Sequence, residues 1–212
     1  MAMPEIPRPA EADLVQRVLA GDHAAFYELV RPHERMVYMS ALSVVNNEAD
    51  AEEVAQEAVL KAFKNLGQFR REAKFSTWLV QITINEARMR VRKYRPGLYE
   101  SIDEGAETDE GDYLPHDYAD WREIPSDTLH RKELRQALAK ALQSLPPKYR
   151  EIVVLRDVEN LSTAEAASIL GITEASAKTR LSRARLMMRD ALAPGIDGRW
   201  TSGGNYAKVR PF

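Results

Sequence analysis

The side chains in this chain best equipped for chemistry are cations set beside aromatics and short polar groups. The stretch Phe69-Arg70-Arg71-Glu72-Ala73-Lys74-Phe75-Ser76-Thr77-Trp78 gathers such residues around a tight loop. Asn85, Arg88, Arg92, Lys93 and Arg95 follow it on a helical pattern. Cations that track a backbone, with aromatics and an amide nearby, suit single-stranded nucleic acid carrying an unstacked base. Phe69, Phe75 and Trp78 could equally anchor the loop to a core, as large aromatics usually do. A second set lies between Ala177 and Arg189, where Lys178, Arg180, Arg183, Arg185 and Arg189 meet no acid. Lys178, Thr179, Ser182 and Arg183 share one helix face by three- and four-residue spacing. Such a face offers donors to base edges and to phosphates. A third set, Glu53, Gln56, Glu57 and Leu60, forms an acidic flank bordered by an apolar residue, a pattern that most often marks a solvated face.

Catalytic chemistry finds little to use. His33, His116 and His130 are scattered, without metal-ligand spacing or a nucleophile motif, so a helical hydrolase is a poor reading. The chain has no cysteine. That removes thiolate catalysis and sulfur-ligated zinc and fits a reducing cytoplasm. No enzyme activity, cofactor or metal is expected.

The elements that position these groups read as helices. Leu14, Val15, Val18 and Leu19 recur at helical spacing, then Gly21 stops the helix and Asp22 starts the next. Pro32 should kink or split the pattern that continues to Leu42. Asn47 can cap a helix in which Val54, Ala58, Ala62 and Leu66 recur, with Gly67 as its end. Ser76 or Thr77 can cap a helix running to about Arg95, before Pro96. Periodicity returns near Ser126, and Pro146-Pro147 opens another helix. In LSTAEAASILGITEASAKTRLSRAR, Ser162 and Glu165 make a capping box. There Ala166 and Ala167 permit a close crossing, Gly171 a left-handed turn, and Thr173 a second cap. This is helix-turn-helix spelling, and no stretch alternates like a strand. The fold class expected is all-α, two small helical domains joined by a flexible acidic linker.

With 212 residues and 44% hydrophobic composition, two such domains can each bury a core. The net charge of −2 conceals strong segregation. Phe69 to Pro96 is basic, opposed only by Glu72 and Glu86. Gly97 to Thr128 is acidic, opposed only by Arg122. Basic regions that flank an acidic segment point to nucleic acid despite the average. No signal peptide or membrane-length apolar run is visible, so a cytoplasmic protein without membrane insertion is expected.

Taken together, GDHAAFYELV, DAEEVAQEAVLKAF, FRREAKFSTWLVQITINEARMRVRK, LQSLPPKYREIVVL and LSTAEAASILGITEASAKTRLSRAR resemble the RNA polymerase sigma factors of the extracytoplasmic-function (ECF) type, in the family's order. The resemblance runs from about Ala10 to Leu192. It implies sigma region 2 over residues 1–96, an acidic linker over 97–128, sigma region 4 over 129–193 and a flexible tail over 194–212. Through Glu53, Gln56, Glu57 and Leu60, region 2 would dock on a coiled coil of the polymerase's largest subunit. The loop Arg70, Arg71, Lys74, Phe75, Ser76, Thr77 and Trp78, with Asn85 beneath it, would capture a flipped base of the minus-10 element. Arg88, Arg92 and Lys93 would hold nearby phosphates. Region 4 would read the minus-35 element of promoter DNA through Ser176, Lys178, Thr179, Ser182 and Arg183, and rest on the second large subunit's flap. The linker would lie in the polymerase cleft, and an anti-sigma factor is an implied partner. Ala175-Ser176-Ala177 stands where relatives often carry Gly-Thr-Val, and Ala55 where many have a second apolar residue. A stand-alone helix-turn-helix regulator is the competing reading, and it leaves the first half without a role.

Overall fold

A computed structural model describes residues 11–70, 72–94 and 128–192, with side chains omitted for 128–133. Arg71, the acidic segment and the tail from 193 lie outside the described residues. Every regular element among the described residues is helical. Helix α1 (Glu11–Leu19) buries Leu14, Val15 and Val18 along one stripe. Gly21, at φ +101°, takes the left-handed turn that a Cβ would resist. Asp22 then caps α2 (His23–Val30), accepting from the Ala24 and Ala25 amides at 3.1 and 3.3 Å. Pro32 sits in a 3-10 turn, Arg31–His33, that splits α2 from α3 (Glu34–Val45).

Asn46 closes α3 at φ +52°, and Asn47 caps α4 (Glu48–Lys64) through the Asp50 amide at 3.0 Å. Helix α4 ends at Asn65, and Gly67 lies in the 3-10 turn that follows instead of at the helix end. Helix α5 spans Phe75–Tyr94. Its start differs from the expected Ser76 or Thr77 cap, because the Trp78 amide already bonds the Lys74 carbonyl. Burial of Phe75 draws the helix start forward, and Ser76 and Thr77 turn inward as first-turn residues.

In the second half, α6 (Thr128–Ser144) leads to α7 (Pro147–Val153), which opens on proline and continues as a π turn, Val154–Val158. Ser162 and Glu165 form the full capping box of α8 (Thr163–Leu170). Gly171 turns at φ +70°, and Thr173 Oγ1 accepts from the Ser176 amide at 3.1 Å to open α9 (Glu174–Leu192).

Helices α3, α4 and α5 pack on one another, and α9 packs on α6, α7 and α8. The halves also pack together, α3 against α7 and α5 against α8. One apolar cluster holds Leu14, Val15, Phe26, Leu29, Leu66, Phe75 and Leu79 of the first half. The other contains Val44, Val80, Ile84 and Val91 together with Ile152, Leu155, Ile169 and Leu181. Periodicity cannot show that second cluster, because it fixes which face is apolar but not which neighbour covers it.

Candidate nucleic-acid interface

The second half builds its face by seating α9 on small and branched residues. Ala166 and Ala177 are fully buried, and Ala167 and Leu181 nearly so, which lets α8 and α9 approach closely. That seating leaves Lys178, Thr179 and Ser182 exposed along α9, with Ser176 and Arg183 half-buried beside them. Lys178 and Ser182 also line an open groove with Leu181, Arg185, Leu186 and Arg189. Thr179 Oγ1 donates to the Ala175 carbonyl at 3.1 Å, which holds its hydroxyl against the helix. Two cations of the α9 run do other work. Arg180 is buried, and Arg185 forks Asp157 of the π turn at 2.9 and 2.6 Å. Hydrogen bonding to Asp157 raises the Arg185 pKa, so the guanidinium stays charged.

In the first half the aromatics turn inward. Phe75 is fully buried, with the Phe69 and Trp78 rings each 5.8 Å from it and the His33 ring at 6.0 Å. Phe69 and Trp78, 5.2 Å apart, are half-buried. Of the residues expected to meet the minus-10 strand, Phe75, Ser76 and Thr77 are therefore interior in this arrangement. An apolar ring at the first position of α5 gains more from the core than from solvent. Arg70, Lys74, Asn85, Arg92 and Lys93 are exposed. Burial pushes His33 below the ordinary histidine range, which suits a neutral ring packed on Phe75.

Arg88 and Thr77 instead meet the second half. Arg88 Nη2 donates to Glu151 Oε2 at 2.7 Å and Nη1 to the Leu170 carbonyl at 3.4 Å. Thr77 Oγ1 donates to Glu165 Oε1 at 3.4 Å, and Lys74 Nζ lies 3.5 Å from the same oxygen. Hydrogen bonds from Ser162 hold the Glu165 carboxyl below the usual range, with Lys74 adding to the effect. Next to Glu151, Arg150 donates from Nε to the Ser43 carbonyl at 2.6 Å and from Nη1 to Gln143 at 3.0 Å. Sequence reasoning passed over Arg150 and Glu151. The available signal was an adjacent opposite-charge pair inside the apolar run from Tyr149 to Leu155, where burial demands partners.

On α4, Glu53, Gln56, Glu57 and Leu60 are all exposed, Leu60 at 51%. Arg90 of α5 braces this flank, 2.6 Å from Glu53 and 2.8 Å from Asp50. Gln56, Glu57 and Leu60 remain a polar and apolar patch on a rigid helix.

Among the described residues no group of three or more metal-ligating side chains could hold an ion, and no helix is long and apolar enough to cross a membrane. A helix-turn-helix with a polar and basic recognition face, beside a second helical body with its own cationic helix, defines a helical nucleic-acid-binding protein. Residues 29–96 match the family described as Sigma-70 region 2, and residues 135–188 match Sigma-70, region 4. The chain is 32% identical over 178 residues to the ECF RNA polymerase sigma factor SigW of Bacillus subtilis, covering 84% of this chain and 94% of that one. It is 33% identical over 186 residues to the RNA polymerase sigma-H factor of Pseudomonas aeruginosa, at 87% and 94% coverage. The ECF RNA polymerase sigma-E factor of Escherichia coli is 32% identical over 188 residues, at 86% and 94% coverage. Among solved structures, CnrH in complex with the cytosolic domain of CnrY matches at TM-score 0.60 and 25% identity, covering 87% of this chain and 97% of that one. The sigma factor RpoE of Bartonella quintana, solved with the anti-sigma factor NepR, shares the fold at TM-score 0.58 and 23% identity, at 79% and 96% coverage.

The chain belongs to the sigma-70 family of RNA polymerase sigma factors, within its ECF subfamily. It is a transcription-initiation factor that works with RNA polymerase, and the stand-alone regulator is set aside.

Proposed function

We propose that this sigma factor has no catalytic role of its own and acts in the cytoplasm by binding core polymerase through α4 and promoter DNA through two separate faces. The observation that carries this reading is the coexistence of an exposed Gln56, Glu57 and Leu60 patch on α4 with an exposed Lys178, Thr179 and Ser182 face on α9. A regulator that bound duplex DNA alone would not need the first. Glu53, Gln56, Glu57 and Leu60 dock on the coiled coil of the largest subunit, and the second half rests on the flap of the other. Arg70, Lys74, Asn85, Arg92 and Lys93 form the accessible part of the minus-10 surface. Trp78 and Thr77 join it when the loop opens, and Arg71, outside the described residues, extends it. Ser176, Lys178, Thr179, Ser182 and Arg183 read the minus-35 element. The regions run over 1–96 and 129–193, with 97–128 as the link. An anti-sigma factor is the expected regulator, supported by the similarity to CnrH, a structure solved in complex with CnrY.

Binding of purified chain to bacterial core polymerase tests the reading. The native chain should form a complex, and Gln56→Ala/Glu57→Ala should weaken it at least tenfold while leaving helicity unchanged. A native chain that fails to bind would overturn the proposal.

A further inference from the structure

Lys74 stands just before α5, and its ammonium accepts no hydrogen bond, so it cannot cap that helix. The Phe75 amide, an orphan donor of the first turn, instead donates to Glu11 Oε1 of α1 at 3.1 Å, across 64 positions of chain. A carboxylate there also faces the positive end of the helix, where negative charge is stabilising. The other end of α1 lies against the 3-10 turn on the far side of the loop. Leu19 Cδ2 comes within 4.0 Å of the point where a Cβ on Gly67 would stand. Between these ends, Leu14, Val15 and Val18 share one apolar cluster with Leu66, Phe75 and Leu79. The nine residues of α1 cover about 12 Å along the helix axis. Helix α1 thus bridges the base of the loop that carries Arg70 and Lys74, touching the turn before it and the helix after it.

We infer that Glu11 is a positioning residue for minus-10 capture: as a cap supplied from outside α5, with α1 as its strut, it fixes both ends of the 66–75 loop so that Arg70 and Lys74 meet the strand in register. The inference rests on the sigma reading of that loop. Glu11 acts through the Phe75 amide and not on the strand itself. A loop anchored at both ends has less freedom to lose when the strand arrives, so less of the binding energy goes into ordering it. The residues between the anchors can still move to meet the DNA. Thr77 and Trp78, in the first turn of α5, take their placement from the same cap. Gln56, Glu57 and Leu60 on α4, and Lys178, Thr179 and Ser182 on α9, do not depend on the first amide of α5. Loss of the cap should therefore leave the other two faces working.

Holoenzyme made from core polymerase and the full chain tests this, on a promoter taken from the start sites that the native holoenzyme uses on total bacterial DNA. A fragment of it carrying 2-aminopurine in the upstream melted element reports base unstacking by fluorescence. Glu11→Ala should lower the equilibrium constant for opening about fivefold, the scale of a lost helix cap. Glu11→Asp keeps the charge but falls one methylene short, and should lose about as much. Glu11→Gln keeps the reach and an acceptor oxygen, and should stay within about twofold of the native chain. Affinity for core polymerase and for the minus-35 duplex should be unchanged in all three. Opening by Glu11→Ala equal to the native chain's, or failure of Glu11→Gln to restore it, would overturn the cap. A parallel loss of core or duplex binding would mean general destabilisation and would overturn the positioning role. Should Glu11→Ala fail to fold by circular dichroism, the Asp and Gln variants decide. A native holoenzyme that selects no start sites would overturn the sigma reading. Hydrogen exchange at the Phe75 amide of the free chain then still judges the cap: Glu11→Ala should quicken it about fivefold and Glu11→Gln should not. Equal exchange in the native chain and Glu11→Ala would overturn it.

Discussion

At the scale of single residues, charge placement explains more than charge count. Arg185 and Arg90 look like free basic groups in the sequence, yet each is forked onto carboxylates of a neighbouring element. Lys178 is exposed on the α9 face proposed to read the minus-35 element. Lys178→Ala should therefore weaken holoenzyme binding to minus-35 duplex and lower the slope of log affinity against log salt by about 1. Binding titrations at several salt concentrations check it, and an unchanged slope would remove Lys178 from the phosphate contacts. Glu159 offers a test of opposite character. Burial raises its pKa, with Arg35 opposing only in part, and its Oε1 lacks a hydrogen-bond partner. A raised carboxyl pKa means the folded state holds the proton more tightly than the unfolded state. Ionisation then costs stability as pH rises from the ordinary glutamate value through the raised one. Glu159→Gln should raise the Tm at pH 7, and the gain should vanish near pH 4. Thermal melts at the two pH values decide, and equal Tm values at pH 7 would contradict the assignment.

At the scale of elements, the turns do the positioning. Gly171 sits at φ +70°, and a Cβ there would meet nothing within 4 Å. Gly171→Ala should thus cost only the left-handed backbone penalty, about 1–2 kcal/mol, with the fold retained. Denaturant unfolding measures it, and a loss well beyond that range would mean the turn is also packed. The helices, the capping box, the Asn47 cap and the Gly171 turn were legible because each is a local matter of periodicity and hydrogen-bond supply. The Lys178, Thr179 and Ser182 face was legible for the same reason. The start of α5 was not, because Ser76 looks like a cap until the burial of Phe75 is known. Nor was the engagement of Arg88 legible. Its partner Glu151 lies 63 positions away and is chosen by how α5 meets the second half, which no local spacing encodes.

At the scale of the whole molecule, the proposed function gives the chain two DNA-binding faces and one protein-docking face. On that reading each half offers only a small face to base edges, so neither should find a promoter alone. Held on one polymerase, the second face binds at high effective concentration once the first is engaged. Phosphate contacts position such a complex, while the base-edge contacts select its sites. The central claim is that this chain gives core polymerase its choice of start site. The most direct measurement is transcription by core polymerase on total bacterial DNA, with and without the chain, followed by mapping of transcript 5′ ends. A new set of starts should appear with the chain, each preceded by two short shared sequence elements at constant spacing. Gln56→Ala/Glu57→Ala should abolish that set. Transcript ends that are identical with and without the chain would contradict the account.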